Sequence, residues 1–531
     1  MTQKKVQVWL PVLLSVTLMI GMFFGYKLKD NMGSYSPSFF GKSQRTSLQE
    51  ILELVKQKYV DTVNVDSLGY FAIHDVLNQL DPHSVYIPPQ QVQQVNEDMQ
   101  GNFQGIGIEF GMMDDTVHIL SVMEKGPAAE AGLQVGDQII SADDSIVSGK
   151  KRGYEDIRKF FRGPKGTILQ INTVRNGQLK EISIQRGVIP IKSVEAAYMI
   201  EPGTAYIRLN KFSSTTYEEF MQNMERLQKE GMKKLILDLR GNGGGMLDDA
   251  VQIADEFLSG TKEIVYTVGK SYPRQDYMAR RPGLFEEGKL ILLIDEGSAS
   301  ASEVLAGALQ DWDRAIILGR RSFGKGLVQE QFNLTDGSAI RLTVSRYYTP
   351  IGRSIQKPYV RGDNDGYKNE VTERYSNGEL FHGDSAAHNG KKYKTKGGRF
   401  VYGGGGISPD VYLPVDSSDL LPKEKKHLYR EMISNAAYYY FLQNKNSLLK
   451  LKSPDELKQT ISTDPVSWQF LKTKALKVYI KIDSLPVKQQ QLIGQYFISM
   501  LGRQLWHNEG YVKMKNLNDP LIKRALEEIR K

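Results

Sequence analysis

The chain has 531 residues, no cysteine, and 69 lysines and arginines against 61 aspartates and glutamates, which gives a formal net charge of +8. The lack of thiols excludes disulfides, cysteine-ligated metal sites and a cysteine nucleophile. Apolar residues make up 40% and charged residues 24% of the chain, as in globular proteins, and the length favours about three domains. The charge excess is small and spread along the sequence, so the clustered basic face of a nucleic-acid-binding protein is not expected.

The N-terminal residues predict a membrane anchor. Val8–Tyr26 carries no charge and is long enough, as a helix, to cross a bilayer core. Lys4 and Lys5 precede it, which favours a cytoplasmic N-terminus at residues 1–7 and an extracytoplasmic, for example periplasmic, location for the rest of the chain. A cleaved signal peptide is the alternative, but it would have a shorter apolar region and a small-x-small cleavage site. Residues 27–45 are predicted to be a linker.

Residues 46–100 and 101–188 differ in their patterning. In the first region apolar residues recur at helical spacing, and the helical run ends near Leu80–Ser84, where Pro82 disfavours helical backbone at Asp81. In the second region short β-type runs are separated by glycine turns. A small helical region followed by a β-rich domain is therefore predicted.

The β-rich region resembles a PDZ domain. The resemblance rests on the compact unit Gly126–Leu133 and on Gly136-Asp137, which follows it. In that family a glycine-rich turn offers backbone N–H groups to the C-terminal carboxylate of a peptide, and the peptide adds to the sheet as a further strand. The matching turn is predicted to consist of Gly105, Ile106, Gly107 and Ile108. A generic small β domain is the alternative.

Residues 189–352 alternate buried strands, glycine turns and helices, which predicts an α/β core. One buried run, Leu235–Leu237, leads into Asp238-Leu239-Arg240 and a glycine turn. A second, Leu290–Ile294, precedes a helix predicted to begin at Ala301.

The remaining C-terminal part of the chain divides into three segments. Residues 353–399 are polar and lack a core period, which favours a surface insertion or a mobile lid. Residues 400–419 are predicted to return to the core. Residues 420–531 are rich in lysine and mostly helical, which favours a helical accessory domain over a specific binding arm.

Three serine hydroxyls lie at the predicted strand-to-helix turn, in Gly297–Glu303. Ser300 and Glu303 have the spacing of a capping box, so a helix cap explains Ser300 without any chemistry. A nucleophile would in addition need a base, and no histidine lies within fifty residues of Ser300. A lysine can serve instead, because burial disfavours the ammonium form and lowers the pKa of the amine.

Phe323–Gln329 offers such a lysine. Lys325 lies between two glycines and leads into an apolar strand, whereas a surface lysine more often has polar neighbours. Gln329 follows four residues later, so on an extended strand its side chain lies on the same face as that of Lys325. The Gln329 carbonyl oxygen is then expected to hold the lysine amine.

Taken together, these motifs resemble the carboxyl-terminal processing peptidases, also called tail-specific proteases. The similarity extends over about residues 45 to 415, and several separated motifs occur in the family's order. One difference is Gly243, which stands where the family frequently has a proline. The motifs are Leu80–Ser84, the PDZ module, Asp238-Leu239-Arg240 with its glycine turn, Ser298–Asp311, Phe323–Gln329 with Lys325 and Gln329 at 25 and 29 residues from Ser300, and Gly403–Asp410.

The resemblance implies a serine endopeptidase with a crotonase-like α/β core, an inserted PDZ domain and a helical C-terminal region. By this resemblance Ser300 is the nucleophile, Lys325 the general base and Gln329 the residue that orients the lysine. The N–H groups of Ala301, at a helix start, and of Gly244, in the glycine turn, are expected to form the oxyanion hole. The enzyme would capture a protein's C-terminus in its PDZ groove and cleave nearby through an acyl-enzyme, without metal, nucleotide or other cofactor.

Two alternative hypotheses are weaker. A catalytically silent scaffold, whose PDZ domain tethers cell-envelope proteins, is disfavoured by the intact Ser300, Lys325 and Gln329. A phosphate-binding site at the glycine turn is disfavoured because a P-loop lysine is followed by Ser or Thr, and here Gly326 follows. The expected partners are proteins or peptides with free C-termini and the membrane, not nucleic acid, and the sequence leaves an oligomer possible.

Overall fold

The structure, a computed structural model, describes residues 15–22, 46–382, 390–415 and 426–531. They divide into two compact units, one ending at Ile73 and one running from His74 to Lys531. Residues 15–22 are helical, and the rest of the predicted anchor Val8–Tyr26, residues 1–7 and the linker 27–45 lie outside the described residues. Among the helices of the described ranges, none is long and apolar enough to span a membrane.

The region 46–100 is mostly helical. Its elements are α1 (Ser47–Lys58), α2 (Val65–Asn78), β1 (Val85–Ile87) and α3 (Pro89–Gln100). The loop between α2 and β1 is held by the Asp81 carboxylate, which accepts the backbone N–H groups of His83 at 2.8 Å and Ser84 at 3.0 Å. This Asx-type turn stabilises the chain reversal at the Leu80–Ser84 motif.

Residues 102–190 form a β-rich domain. Its core is apolar and fully buried, with Ile119, Ile139 and Leu169 among its residues. Strands β3-β4-β5-β7-β8 form the main sheet in that order, β6 pairs with β5, and β2 pairs with β9. The elements are β2 (Asn102–Gly105), β3 (Ile108–Met113), β4 (Thr116–Val122), α4 (Pro127–Glu130), β5 (Gln138–Ala142), β6 (Ser145–Ile146), α5 (Tyr154–Phe161), β7 (Ile168–Arg175), β8 (Gln178–Gln185) and β9 (Gly187–Pro190).

A six-stranded sheet in the order β10-β11-β12-β15-β16-β21 forms the centre of the α/β core. All neighbouring pairs are parallel except β10 and β11. Both faces are covered, which explains the continuous apolar runs of β12 and β15. The elements are β10 (Val194–Glu201), β11 (Thr204–Leu209), α6 (Thr216–Lys229), β12 (Lys234–Asp238), α7 (Leu247–Asp255), β15 (Lys289–Ile294), α8 (Ala301–Asp311), β16 (Ile316–Gly319) and β21 (Val411–Tyr412).

A second sheet lies in the order β1-β18-β13-β14, with β17 paired to β18. The antiparallel hairpin of β17 and β18 follows directly after Lys325 and so carries the predicted base segment. The elements are β13 (Glu263–Val268), β14 (Gln275–Met278), β17 (Leu327–Asn333) and β18 (Ala339–Tyr348).

The polar segment 353–399, predicted to be a surface insertion or a mobile lid, begins with a helix that packs against the core through two buried residues. Its elements are α9 (Asn364–Ser376), α10 (Glu379–His382) and β19 (Lys392–Lys394), and β20 (Phe400–Tyr402) pairs with β19. Tyr367 and Arg374 of α9 are buried. The Arg374 guanidinium donates to Glu379 at 2.7 Å and to the backbone carbonyl of Arg321 at 2.8 Å. Polar residues here are satisfied by buried pairing, a feature that composition does not reveal.

The C-terminal helices form a bundle with its own apolar core. They are α11 (Lys426–Leu448), α12 (Pro454–Thr463), α13 (Pro465–Leu476), α14 (Val487–Asn516) and α15 (Pro520–Arg530). The bundle contacts the β-rich domain, where Arg503 pairs with Glu109 at 3.0 Å. Helix α15 covers the face of the central sheet opposite α6, α7 and α8, with Leu521 and Ile522 in a shared core cluster. The region is therefore integrated with both other domains.

Candidate active site

Three segments meet at one edge of the central sheet. The glycine turn follows β12, Ser300 follows β15 and Lys325 follows β16. These strands are adjacent and parallel, so the segments that leave their carboxyl ends emerge side by side, at the edge where α/β proteins place their sites. The sheet topology thus brings together residues that are separated along the chain.

Ser300 has a backbone conformation that capping does not explain. Its φ is 55° and its ψ is −114°, a left-handed φ that a non-glycine residue rarely adopts. The capping box with Glu303 is present, and the Ser300 N–H donates to Glu303 Oε2 at 2.8 Å. Helix caps ordinarily have extended backbone, and strained backbone concentrates at functional sites. Ser300 is thus a cap held in a conformation typical of a reactive residue.

The two neighbouring serines have structural roles. The Ser298 hydroxyl donates to the Leu239 carbonyl at 2.8 Å, and the Ser302 hydroxyl donates to the Asn242 carbonyl at 2.9 Å. Both serines are fully buried. They attach the start of α8 to the glycine turn, which leaves Ser300 as the candidate nucleophile among the three.

Lys325 is fixed beside Ser300 through the backbone. The Tyr347 hydroxyl lies within hydrogen-bond distance of the Lys325 carbonyl and, at 3.2 Å, of the Ser300 carbonyl. Burial and, to a lesser extent, the positive charge of Arg341 lower the pKa of the Lys325 amine from 10.5 to about 8, against the opposing effect of the Glu303 and Asp81 carboxylates. A substantial fraction of the amine is therefore neutral, and able to accept a proton, in mildly alkaline solution.

Glu303 joins the nucleophile segment to the base segment. Its carboxylate is fully buried, and burial raises its pKa to about 7 in spite of the hydrogen bonds it accepts. Those bonds come from the Ser300 N–H at 2.8 Å, the Lys325 N–H at 2.8 Å, the Gly324 N–H at 2.7 Å and the Ser322 hydroxyl at 2.5 Å. The sequence indicated only a cap for Glu303, because nothing local to it signals the contacts with residues 322–325.

Gln329 lies on β17, close behind Lys325 in the chain, but its amide is bonded elsewhere. Its Nε2 donates to Thr343 Oγ1 at 3.2 Å. Over the described residues no hydrogen bond joins Gln329 to the Lys325 amine, so the expected contact between them stays a prediction.

Sequence reasoning missed a histidine and an aspartate in this region. Asp81 Oδ1 accepts the Thr343 hydroxyl at 3.0 Å, and His83 Nε2 lies 2.9 Å from the Tyr367 hydroxyl. Burial and the nearby Lys325 charge lower the pKa of His83 to about 4, so this histidine is neutral at ordinary pH. Spacing along the chain links neither residue to Lys325. The Leu80–Ser84 motif is the one feature of the sequence that could have indicated Asp81 and His83 as site residues.

The glycine turn lies directly against the start of α8. Gly244 has φ +95°, and a Cβ there would stand 2.6 Å from the Ala299 carbonyl oxygen and 2.9 Å from the Ala301 nitrogen. The Gly244 N–H donates to Asn242 Oδ1 at 2.9 Å. The N–H groups of Ala301 and Gly245 have no hydrogen-bond partner in the described part of the chain. The oxyanion-hole roles expected for Ala301 and Gly244 stay predictions, and the hydrogen bond to Asn242 engages the Gly244 N–H in this structure.

The second predicted binding element, Gly105-Ile106-Gly107-Ile108, leads into β3, an edge strand of the β-rich domain. Gly107 has φ +76°, which fits a tight turn. Phe110 on β3 stacks on Tyr154 of α5 with ring centroids 4.5 Å apart. The turn therefore leads into an edge strand that contacts α5. In none of the described segments do three or more His, Asp or Glu side chains group so as to hold a metal ion.

Comparison with known proteins gives matches for both domains. Residues 203–365 match the family model of peptidase family S41, and residues 104–185 match that of the PDZ domain. A carboxy-terminal-processing protease of Bartonella bacilliformis is 35% identical over 399 residues, which cover 73% of this chain and 89% of that protein. The carboxy-terminal processing protease CtpB of Bacillus subtilis is 34% identical over 58% of this chain and 65% of its own length. The solved photosystem II D1 C-terminal processing protease is 27% identical, covers 71% of this chain and 87% of its own, and gives a TM-score of 0.35.

Proposed function

This chain belongs to the carboxy-terminal processing proteases of peptidase family S41, and we propose that it cleaves peptide bonds with a dyad of Ser300 and Lys325. It is a serine-type protease with a PDZ domain. The observation that carries the dyad is the Glu303 carboxylate, which accepts the backbone N–H groups of both Ser300 and Lys325. A buried carboxylate shared by two backbone segments fixes the nucleophile and the base relative to each other.

In the proposed mechanism the neutral Lys325 amine takes the Ser300 hydroxyl proton as the oxygen attacks the scissile carbonyl carbon. The tetrahedral oxyanion accepts hydrogen bonds from the Ala301 N–H, at the positive end of α8, and from the glycine turn. The carbon–nitrogen bond then breaks, and Lys325 returns the proton to the leaving amine. Water, deprotonated by Lys325, releases the acyl group and restores Ser300. We also propose that the α/β core is crotonase-like; the two backbone N–H donors beside the nucleophile, from Ala301 and from the glycine turn, support this.

We assign substrate capture to the PDZ domain. A peptide's C-terminal carboxylate would accept N–H groups of Gly105-Ile106-Gly107-Ile108 while its last residues pair with β3 as an added strand. The edge position of β3 supports this assignment. Amidation of the substrate's C-terminus, which removes the charge, is expected to raise KM with little change in kcat. Equal KM values for the acid and the amide would exclude this assignment.

We further propose that Val8–Tyr26 anchors the protein in a membrane and that the catalytic domains lie outside the cytoplasm. The uncharged stretch and the preceding Lys4 and Lys5 support this. Protease added to intact spheroplasts should digest the catalytic domains, whereas a cytoplasmic marker should stay protected. Protection of the catalytic domains in intact spheroplasts would contradict the proposal.

The dyad is tested by covalent labelling. A serine-reactive fluorophosphonate should modify Ser300, identified by peptide mapping, and its rate should rise with pH. Lys325→Met should abolish labelling while leaving the protein folded. Labelling of another serine, or of Ser300 at an undiminished rate in Lys325→Met, would contradict the proposed dyad.

A further inference from the structure

The loop Asp81–Ser84 forms hydrogen bonds with Thr343, a residue of the hairpin that follows Lys325. Asp81 Oδ1 accepts the Thr343 hydroxyl at 3.0 Å, and the Ser84 hydroxyl accepts the Thr343 N–H at 3.1 Å. The Ser84 hydroxyl in turn donates to Asp81 Oδ2 at 2.6 Å. Thr343 on β18 is thus held at both its backbone and its side chain by a segment more than 250 positions earlier in the chain.

The direction of these hydrogen bonds determines which way round the Gln329 amide lies. A carboxylate only accepts hydrogen bonds, so the single Thr343 hydroxyl hydrogen is committed to Asp81. The Thr343 oxygen can then only accept from Gln329, which must present its NH₂ group, and the Nε2–Oγ1 distance is 3.2 Å. Gln329 and Thr343 are direct partners across the β17–β18 ladder. The Gln329 carbonyl oxygen is consequently turned away from Thr343.

We propose that Asp81 and Thr343 are positioning residues that act through Gln329, by presenting its carbonyl oxygen to the Lys325 amine. The inference rests on the proposed dyad and extends it to a relay of four residues: Asp81, Thr343, Gln329 and the base Lys325. Without Asp81 the Thr343 hydroxyl is free to reverse and donate to the Gln329 carbonyl. The amide would then offer its NH₂ to Lys325, and two donors would face each other.

The charges around Lys325 decide which variant isolates the relay. Arg341 on β18, Glu303 on α8 and Asp81 in the loop all act on the Lys325 amine, and Arg341 lowers its pKa while the two carboxylates raise it. The His83 side chain also lies in the field of Lys325. Removing Asp81 would therefore change both a charge and a hydrogen bond. Removing the Thr343 hydroxyl breaks the relay and leaves all these charges in place.

The test compares Thr343→Val with Thr343→Ser in the full-length protein, with an unfolded substrate that has an apolar tail. Valine has the same shape without the hydroxyl, whereas serine keeps it. We expect Thr343→Val to lower kcat about tenfold with KM nearly unchanged, and Thr343→Ser to stay within about twofold of wild type. Thr173→Val, which alters a buried strand threonine of the PDZ domain, serves as the matched control and should leave kcat unchanged.

A double-mutant cycle separates positioning from general stabilisation. Because Thr343 acts through Gln329, Thr343→Val should cause no further loss of kcat in a Gln329→Ala background. A tenfold loss that persists in that background would overturn the relay, as would wild-type kcat in Thr343→Val. If Thr343→Val does not fold, Thr343→Ala takes its place, because it also removes the hydroxyl and leaves the charges unchanged; the same non-additivity is expected, and wild-type kcat again overturns the relay.

Failure of the relay is distinguishable from failure of the dyad. Ser300→Ala and Lys325→Ala are measured in the same assay. If both retain activity, the dyad itself is wrong. If both lose activity while Thr343→Val matches wild type, the dyad stands and only the relay is rejected.

Discussion

Ser300 combines two roles that local sequence treats as alternatives. Its N–H donates to the Glu303 carboxylate, which completes a helix cap. A cap residue ordinarily has extended backbone, whereas Ser300 has a left-handed φ of 55°. The cost of such a conformation is of order 1–3 kcal/mol. Hydrogen bonds from residues 322–325 to Glu303 hold the start of α8 in place and offset that cost.

The pH dependence of activity follows from Lys325. Burial lowers the pKa of its amine to about 8, and only the neutral amine can accept the Ser300 proton. We therefore expect kcat/KM to rise with pH and to reach half its maximum near pH 8. A profile of kcat/KM that stays flat from about pH 6 to about pH 9 would be inconsistent with a lysine base.

The same burial makes Lys325 costly for stability. Its pKa is lower in the folded protein than in the unfolded chain, so between about pH 8 and 10.5 the unfolded chain binds more protons and folding becomes more favourable as pH rises. At pH 7 the folded protein carries the buried charge, and Lys325→Met should stabilise it by about 1–3 kcal/mol. Urea unfolding at pH 7 measures this. The exposed Lys289→Met is the control, and equal stability of Lys325→Met and wild type would refute the expectation.

At the scale of elements, the glycine turn and α8 touch without space for a side chain at Gly244. A Cβ there would stand 2.8 Å from the Ser300 Cβ, whereas Gly243 has no atom within 4 Å of its Cβ position. We expect Gly244→Ala to lower kcat by about a hundredfold and Gly243→Ala to leave it within about twofold. Steady-state kinetics on the two purified variants test this. Similar kcat values for both variants would show that the close approach is not needed.

The elements that the sequence could predict are those with strong local patterns. The apolar runs Leu235–Leu237 and Leu290–Ile294 became the central strands β12 and β15, and Ser300, Lys325 and Ala301 lie at one edge of that sheet. The contacts of Asp81 and His83 with residues 343 and 367 could not be read from periodicity, because long-range pairing leaves no local trace. The buried Arg374 is a similar case, since its pairing with Glu379 gives a polar sequence an interior position.

At the scale of the whole molecule, the C-terminal helices complete the protease core. Leu521 and Ile522 of α15 are buried against the central sheet, and Asp519, at the start of α15, pairs with Arg240 of the Asp238-Leu239-Arg240 motif at 2.7 Å. The sequence predicted a helical accessory domain here, and the packing of α15 on the central sheet could not be predicted because the amphipathic pattern of a helix does not say which surface it covers. The structure makes α15 a second cover for the sheet that carries the site.

This role is tested by stability. Leu521 is buried and Leu476, in α13, is 55% exposed. Leu521→Ala should remove about 2–5 kcal/mol and lower the thermal midpoint of the full-length protein, whereas Leu476→Ala should leave the midpoint nearly unchanged. Equal midpoints for the two variants would mean that α15 contributes little to the core.

The proposed function requires that Ser300 and Lys325 together hydrolyse peptide bonds. The most direct measurement is cleavage of an unfolded protein with an apolar tail and a free C-terminal carboxylate, by the full-length protein and by Ser300→Ala and Lys325→Ala. We expect cleavage by wild type and a loss of about a thousandfold or more in both variants, with thermal midpoints showing that each is folded. Cleavage by either folded variant at the wild-type rate would contradict the dyad. A wild-type protein that binds the tail without cutting it would support a binding scaffold instead.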